Sequence, residues 1–323
     1  VLAIGGLVLG VTEGPVRGWL SPLTLTGLIG GAVALVAFVA GGLRVRQPLL
    51  DPRLFRERRF AAGTVSIFLQ FLAMMGFFFI FLQYLELVRG YGTLKAALAV
   101  IPLAIGMMPA SIAAAPLAGR YGGRNVGVAG LALSAAGFVW LSQLTVASSY
   151  WPVLFGMIIA GAGLGLGMTP ATNAIVESLP IAKQGLASAV NDTSRELGAA
   201  FGIAIVGSAF TAAYRTHIGP SLHQLPAPVA SAARQAPAAA IDVAGRLGPN
   251  GHALVHQTQT AFMSGQRQAL LIAAVALAIG VVFLLLPGSR PGWVPVPRRP
   301  RLWRYLAALS STIALPDVKR PRE

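Results

Sequence analysis

Long apolar stretches alternate along this chain with short polar connectors punctuated by Gly and Pro. Residues 23–43, 60–88, 96–118, 126–144, 153–176, 186–214 and 268–286 are each long and apolar enough to cross a bilayer as a helix, which predicts seven complete spans. Residues 1–12 are apolar too, but twelve helical residues fall short of about 30 Å of hydrocarbon. They read as the last turns of a spanning helix, so an upstream part of the protein is expected. The connectors carry turn residues and interfacial aromatics, as in EGPVRGWLSP (13–22) and SSYWP (148–152). Residues 215–267 are more polar, rich in Pro, Ala and His, and are expected to form a long loop. Pro102, Pro109 and Pro116 predict kinks in the third complete span, with neighbouring helices satisfying the freed carbonyls.

Composition agrees with this pattern. Hydrophobic residues make up 55% of the chain and charged residues 11%, outside the range of soluble domains. With no cysteine, disulfides, thiolate metal sites and cysteine nucleophiles are excluded. A net charge of +15 would suggest nucleic acid in a soluble protein. Here the basic residues flank the apolar segments, so they set topology and no nucleic-acid partner is expected. The connectors at 44–59, 119–125 and 177–185, together with the tail, hold most of the arginines. They are therefore assigned to the cytoplasm, with the C-terminus inside and the 215–267 loop outside. The tail stretch 298–309 reads as an amphipathic segment able to lie on the membrane surface.

The candidate chemistry lies in ASAVNDTSRELGAAFG, residues 187–202, where Asp192 and Glu196 stand four residues apart at the head of an apolar helix. Two readings stay open. Either Asn191 to Glu196 form a wetted helix end with Arg195 pairing Asp192, or the acids enter a membrane helix on one face as functional groups. Intramembrane carboxylates are costly and seldom idle, and Glu196 lies deeper. Gln70, Met74, Met75, Phe78 and Asn173 are candidates for cavity lining, although ordinary packing uses the same residue types. The run GAGLGLGMTP (161–170) lacks both the spacing and the preceding strand of a nucleotide loop. Gly163, Gly167 and Pro170, with Gly198 and Gly202, are instead expected to allow close helix packing or bending. The histidines 217, 223, 252 and 256 all fall in the expected loop, with no third ligand for His252 and His256. No metal or cofactor is expected, and no hydrolase constellation is present.

Six strings in order (GVTEGPVRGW, PLLDPRLFRERRF, GYGTLKAALAVIPLA, APLAGRYGGR, GAGLGLGMTPATN and NDTSRELGAAFGIAIVGS) resemble the major facilitator superfamily, in particular the fourteen-spanner drug:proton antiporters of bacteria. The resemblance runs through nearly the whole chain. It implies an all-α membrane protein of the major facilitator fold, represented by its C-terminal six-helix bundle plus linker helices, without the N-terminal half. Residues 1–59 would be the linker region and cytoplasmic connector, 60–287 the bundle, and 288–323 a basic cytoplasmic tail. The superfamily's loop pattern is matched at Arg120, Gly122 and Arg124, but Ala115 and Gly119 stand where Gly and Asp are expected. By this resemblance the protein is a multi-pass transporter of the plasma membrane, not an enzyme. It would exchange protons for amphipathic or cationic drugs through Asn191, Asp192, Arg195 and Glu196. Its partners would be the bilayer, substrate, protons and the upstream half. Export of one specific metabolite, or a scaffold or sensor role, are the alternatives.

Overall fold

The computed structural model describes residues 2–44, 52–222, 227–246 and 251–286. Eleven α-helices occur among them, and no strand. They are α1 (Leu2–Arg17), α2 (Pro22–Arg44), α3 (Arg58–Gln83), α4 (Thr93–Leu98), α5 (Ile101–Tyr121), α6 (Gly123–Ser142), α7 (Tyr150–Glu177), α8 (Gln184–Ile218), α9 (Ala227–Gln235), α10 (Pro237–Arg246) and α11 (His252–Leu285). Seven helical segments are long and apolar enough to cross a membrane, matching the number expected from the sequence. Apolar side chains such as Ile29, Val33, Val36, Ile105, Ile112, Val275 and Ile279 point outward, as hydrocarbon requires.

Local sequence sets the breaks. Glu57 caps α3, its carboxylate accepting from the backbone N–H groups of Arg59 and Phe60. The helix finishes in a π-helical turn, Tyr84–Val88, whose last carbonyls face the Gln259 side chain of α11. Gly122 separates α5 from α6 at φ 86°, a backbone conformation that side chains with a Cβ avoid.

The proline-rich span is two helices. It breaks at Ala99–Val100, and α5 restarts with Pro102 in its first turn, where the missing N–H costs nothing. The Leu103 N–H turns to Val100, which frees the Ala99 carbonyl, and the Tyr150 hydroxyl of α7 donates to that oxygen at 2.9 Å. A neighbouring helix thus satisfies the freed carbonyl. Pro109 and Pro116 remain inside α5.

Close packing rests on glycine. In α7 the alternating glycines serve two faces. Gly161 and Gly165 lie against the Leu103 and Met107 carbonyls of α5, while Gly163 and Gly167 lie against Ser134 and Gly130 of α6. Residues four apart share a helix face, so GAGLGLG carries two interleaved small-residue surfaces. Gly198 and Gly202 let α8 sit on the Phe68 and Leu72 carbonyls of α3. Helices α1 and α2 cross at Gly6, Gly27 and Gly31, and α1 meets α8, where the Ser208 hydroxyl donates to the Val11 carbonyl.

A large aromatic cluster (Phe77, Phe81, Tyr84, Phe138 and Phe262) fills the middle and one end of the bundle. A smaller cluster of Phe60, Ile67, Ile175, Leu179 and Val190 fills the arginine-rich end. At that end Arg124 donates to the Leu284 and Leu285 carbonyls, and Arg58 to those of Phe283 and Leu286. Both guanidinium groups cap the C-terminus of α11, where carbonyls lack helical partners and the dipole favours cations.

The expected loop at 215–267 is largely helical. Helix α8 runs on to Ile218, α9 and α10 form a hairpin, and α11 starts at His252, well before Gln268. The hairpin is rich in Ala, a strong helix former, and buries Ala233, Ala240 and Ala244. The first turns of α11 bury Leu254, Thr258, Ala261, Phe262 and Gly265, an amphipathic spacing that average hydropathy does not register. His217, His252 and His256 are therefore helical residues; His223 lies outside the described residues, as do the connector 45–51 and the segment 298–309.

Candidate functional site

Helix α8 presents its polar residues on two faces. Asn191, Ser194 and Gly198 point into the bundle. The Ser194 hydroxyl returns to the Val190 carbonyl at 2.7 Å, and Asn191 accepts from the Thr172 hydroxyl of α7 at 3.4 Å. Asp192 and Glu196 lie exposed on the opposite face, and neither makes a hydrogen bond or ion pair among the described residues. At 100° per residue they are only about 40° apart around the helix, so they form one acidic stripe.

The packing with α3 fixes their depth. Gly198 sits on the Phe68 carbonyl, ten residues into α3 from Arg58. At 1.5 Å per residue this level lies about 15 Å inward from Arg58, which puts Glu196 at about 12 Å and Asp192 at about 6 Å. If Arg58 marks the edge of a hydrocarbon layer about 30 Å thick, Glu196 stands near its middle and Asp192 in its outer third.

Arg195 does not pair with Asp192. Its guanidinium lies over the Phe71 ring of α3, 5.4 Å from the centroid, and its Nε is buried without a hydrogen-bond partner. The side chain leaves the helix on the flank facing α3, where the ring face offers a cation a better partner than a carboxylate turned away.

The expected lining residues do not gather around the acids. Gln70 is fully buried: its Nε2 donates to the Ser66 carbonyl, and its Oε1 occupies the space that a side chain on Gly167 would take. Met74 is buried, and Met75 and Phe78 are half-buried. By the same rise these three lie about 24–30 Å inward from Arg58, far beyond Glu196. Asn173 is different. The Thr172–Asn191 hydrogen bond sets α7 and α8 side by side, so Asn173 and Asp192, each the next residue, are exposed at a similar level. Gly163, Gly167, Gly198, Gly202 and the buried Pro170 all occupy helix contacts.

The composition alone did not single out Thr172 or Phe71. Their roles come from which helix lies next to which, and no local motif announces either. No group of three or more His, Cys, Asp or Glu that could hold a metal ion occurs among the described residues.

Residues 1–203 match the family described as Major Facilitator Superfamily. The chain is similar to Multidrug efflux pump LfrA of Mycolicibacterium smegmatis, 33% identical over 267 residues, covering 78% of this chain and 52% of that protein. It is also similar to Multidrug resistance protein Stp of Mycobacterium tuberculosis, 31% identical over 92% of this chain and 56% of that protein. Methyl viologen resistance protein SmvA of Salmonella typhimurium is 29% identical over 81% of this chain and 54% of its own length. The chain thus spans about half the length of these relatives.

Proposed function

The chain belongs to the Major Facilitator Superfamily, and from that premise we propose that it forms the C-terminal part of an exporter that exchanges protons for amphipathic, cationic small molecules. It sits in the plasma membrane with the arginine-rich end and the C-terminus in the cytoplasm, and an upstream half supplies the other wall of the transport pathway. The observation that carries this reading is the acidic stripe: two carboxylates without partners among the described residues, about 6 and 12 Å inward from the level of Arg58, on an exposed face of α8.

A carboxylate beside hydrocarbon is stable when protonated or when a cation stands next to it. Proton and cationic substrate therefore compete for Glu196. Binding one releases the other, and this competition couples their opposite movements. Asp192 and the neighbouring Asn173 form the approach from the arginine-rich end, and Asn191 anchors that stretch of α8 to α7. Arg195 holds α8 to α3 and adds a nearby positive charge. Gly163, Gly167, Gly198 and Gly202 keep the helices in close contact while the two halves rock. The relatives' names support the substrate class: two are named for multidrug efflux or resistance, and the third for methyl viologen, an organic dication.

The test uses the full-length protein in proteoliposomes with a cationic dye and an imposed proton gradient. Glu196→Gln is expected to abolish gradient-driven dye movement at normal expression and folding. Unchanged transport would overturn the role of Glu196.

A further inference from the structure

Proline at position 170 has no N–H, so inside α7 the Leu166 carbonyl lacks the partner that residue 170 would otherwise give it. That carbonyl belongs to the peptide group joining Leu166 to Gly167. Gly167 packs against α3, where a Cβ would stand 2.7 Å from Gln70 Oε1 and 3.2 Å from Gln70 Cδ. The Gln70 side chain therefore ends beside the residue that follows a carbonyl the helix itself does not satisfy.

Gln70 lies twelve residues into α3 from Arg58, about 18 Å inward by the helix rise, and is fully buried. Gly167 and Pro170 are buried too. A polar group enclosed at this level finds its partners in the protein. The bundle already answers one such case at Ala99, whose carbonyl takes the Tyr150 hydroxyl of a neighbouring helix. Gln70 is equipped to do the same and is only half committed elsewhere. Its Nε2 carries two hydrogens and donates to the Ser66 carbonyl at 3.1 Å, an oxygen that stands four residues back and already serves the Gln70 backbone N–H. Its Oε1 is buried with no hydrogen-bond partner among the described residues.

Gly167 is also where the grip of α6 on α7 changes. A Cβ on Gly130 would stand 2.5 Å from the Gly167 nitrogen, whereas one on Gly123 or Gly127 would come no nearer to Pro170 than 3.7 Å. Beyond Pro170, α7 instead stays tight against α3, where a Cβ on Gly63 would stand 2.6 Å from the Ala171 carbonyl. A helix held by one neighbour up to a glycine and by another past a proline has a pivot between them.

We propose that Gln70 positions a bend of α7 at Gly167–Pro170. In the bent state its Nε2 donates to the Leu166 carbonyl; in the described state it returns to Ser66. The exchange moves one side-chain hydrogen bond and breaks none in either backbone. The bend belongs to α7 itself and does not depend on which substrate is carried.

Spin labels introduced at positions 151 and 177, exposed residues about 39 Å apart along α7, report the bend in the full-length protein in lipid nanodiscs. Two distances are expected, the shorter being that of the bent helix. Gln70→Met, which matches the length of the side chain but has no N–H, is expected to cut the ratio of short to long about fivefold, as loss of one hydrogen bond does. Gln70→Asn, an amide one methylene too short, is expected to do the same and decides the matter if Gln70→Met does not fold. Pro170→Ala gives the Leu166 carbonyl an N–H again and is expected to lose the short distance whatever stands at position 70. A single distance in the wild-type protein, an unchanged ratio in a folded Gln70 variant, or a short distance that persists in Pro170→Ala overturns the proposal. Because the readout is a distance within one helix, failure of the export reading would leave it untouched.

Discussion

Arg195 stands one turn from Asp192 on α8, yet its guanidinium stacks on Phe71 of α3, 5.4 Å from the ring centroid, and leaves the carboxylate unpaired. The cation secures a helix contact, and the carboxylate has no ion-pair partner among the described residues.

A double-mutant cycle checks this division. Arg195→Ala and Phe71→Ala are expected to couple by about 0.5–1 kcal/mol in thermal unfolding of the detergent-solubilised protein, as cation–π pairs do. Arg195→Ala and Asp192→Asn are expected to add within about 0.3 kcal/mol. A strong second coupling would mean that the ion pair forms after all.

The depths of the two acids predict an order of effect. Under the proposed function, with Arg58 at the hydrocarbon edge and Glu196 near its middle, Glu196→Gln is expected to abolish proton-driven efflux. Asp192→Asn is expected to reduce efflux about tenfold, the loss of one charge-assisted contact. Dye efflux from cells expressing each full-length variant at equal levels checks the order, and a reversed ranking would contradict the depth assignment.

The glycine contacts of α7 leave no room for a methyl group. A Cβ on Gly163 would come within 2.2 Å of the Ser134 backbone nitrogen, and one on Gly161 within 2.1 Å of the Leu103 carbonyl. Either Gly→Ala change is expected to destabilise the bundle by about 1–3 kcal/mol, the usual effect of overpacking. Gly5→Ala, where nothing lies within 4 Å, is expected to change stability by less than about 0.5 kcal/mol. Melting temperatures of the three variants, compared in one detergent, decide the matter.

Tyr150→Phe removes the hydroxyl that satisfies the Ala99 carbonyl. The expected loss is about 1 kcal/mol, with faster hydrogen exchange around residues 99–103, where α5 restarts. Exchange confined to other segments would show that the break is held by something else.

Arg124→Ala is expected to fray the last turn of α11. Both of its hydrogen bonds end on carbonyls of that turn, and they are exposed to solvent, so the loss is about 1 kcal/mol. Proteolysis near residue 286 or hydrogen exchange at residues 282–286 reads it directly. Arg124→Lys is expected to recover only part of the protection, because an ammonium cannot bridge two carbonyls as a planar fork does.

The spans were legible because a bilayer imposes a one-dimensional rule: a segment that crosses it must be apolar for about 20 residues, and charge must stay at its ends. That rule reads residue by residue without knowledge of neighbours. It failed at 215–267, where α9, α10 and the first turns of α11 are amphipathic helices held by packing at Ala233, Ala240, Leu254 and Phe262. It also missed the break at Ala99, because a run of prolines does not say which of them starts a helix. The acidic stripe was visible as a spacing, since Asp192 and Glu196 belong to one helix.

The sequence by itself determined the membrane class, the number of crossings, the shared face of the two acids and the small residues of α7, all of which follow from helix periodicity and from the cost of polar groups in hydrocarbon. Only the tertiary structure decided where Arg195 points, that Gln70 is enclosed against Gly167, that Thr172 reaches Asn191, and that Tyr214 reaches Ala233. Each of these depends on which helix lies beside which and at what height. Apolar faces of similar shape leave that choice open until backbones meet at particular glycines, since close packing discriminates among arrangements that hydropathy treats alike.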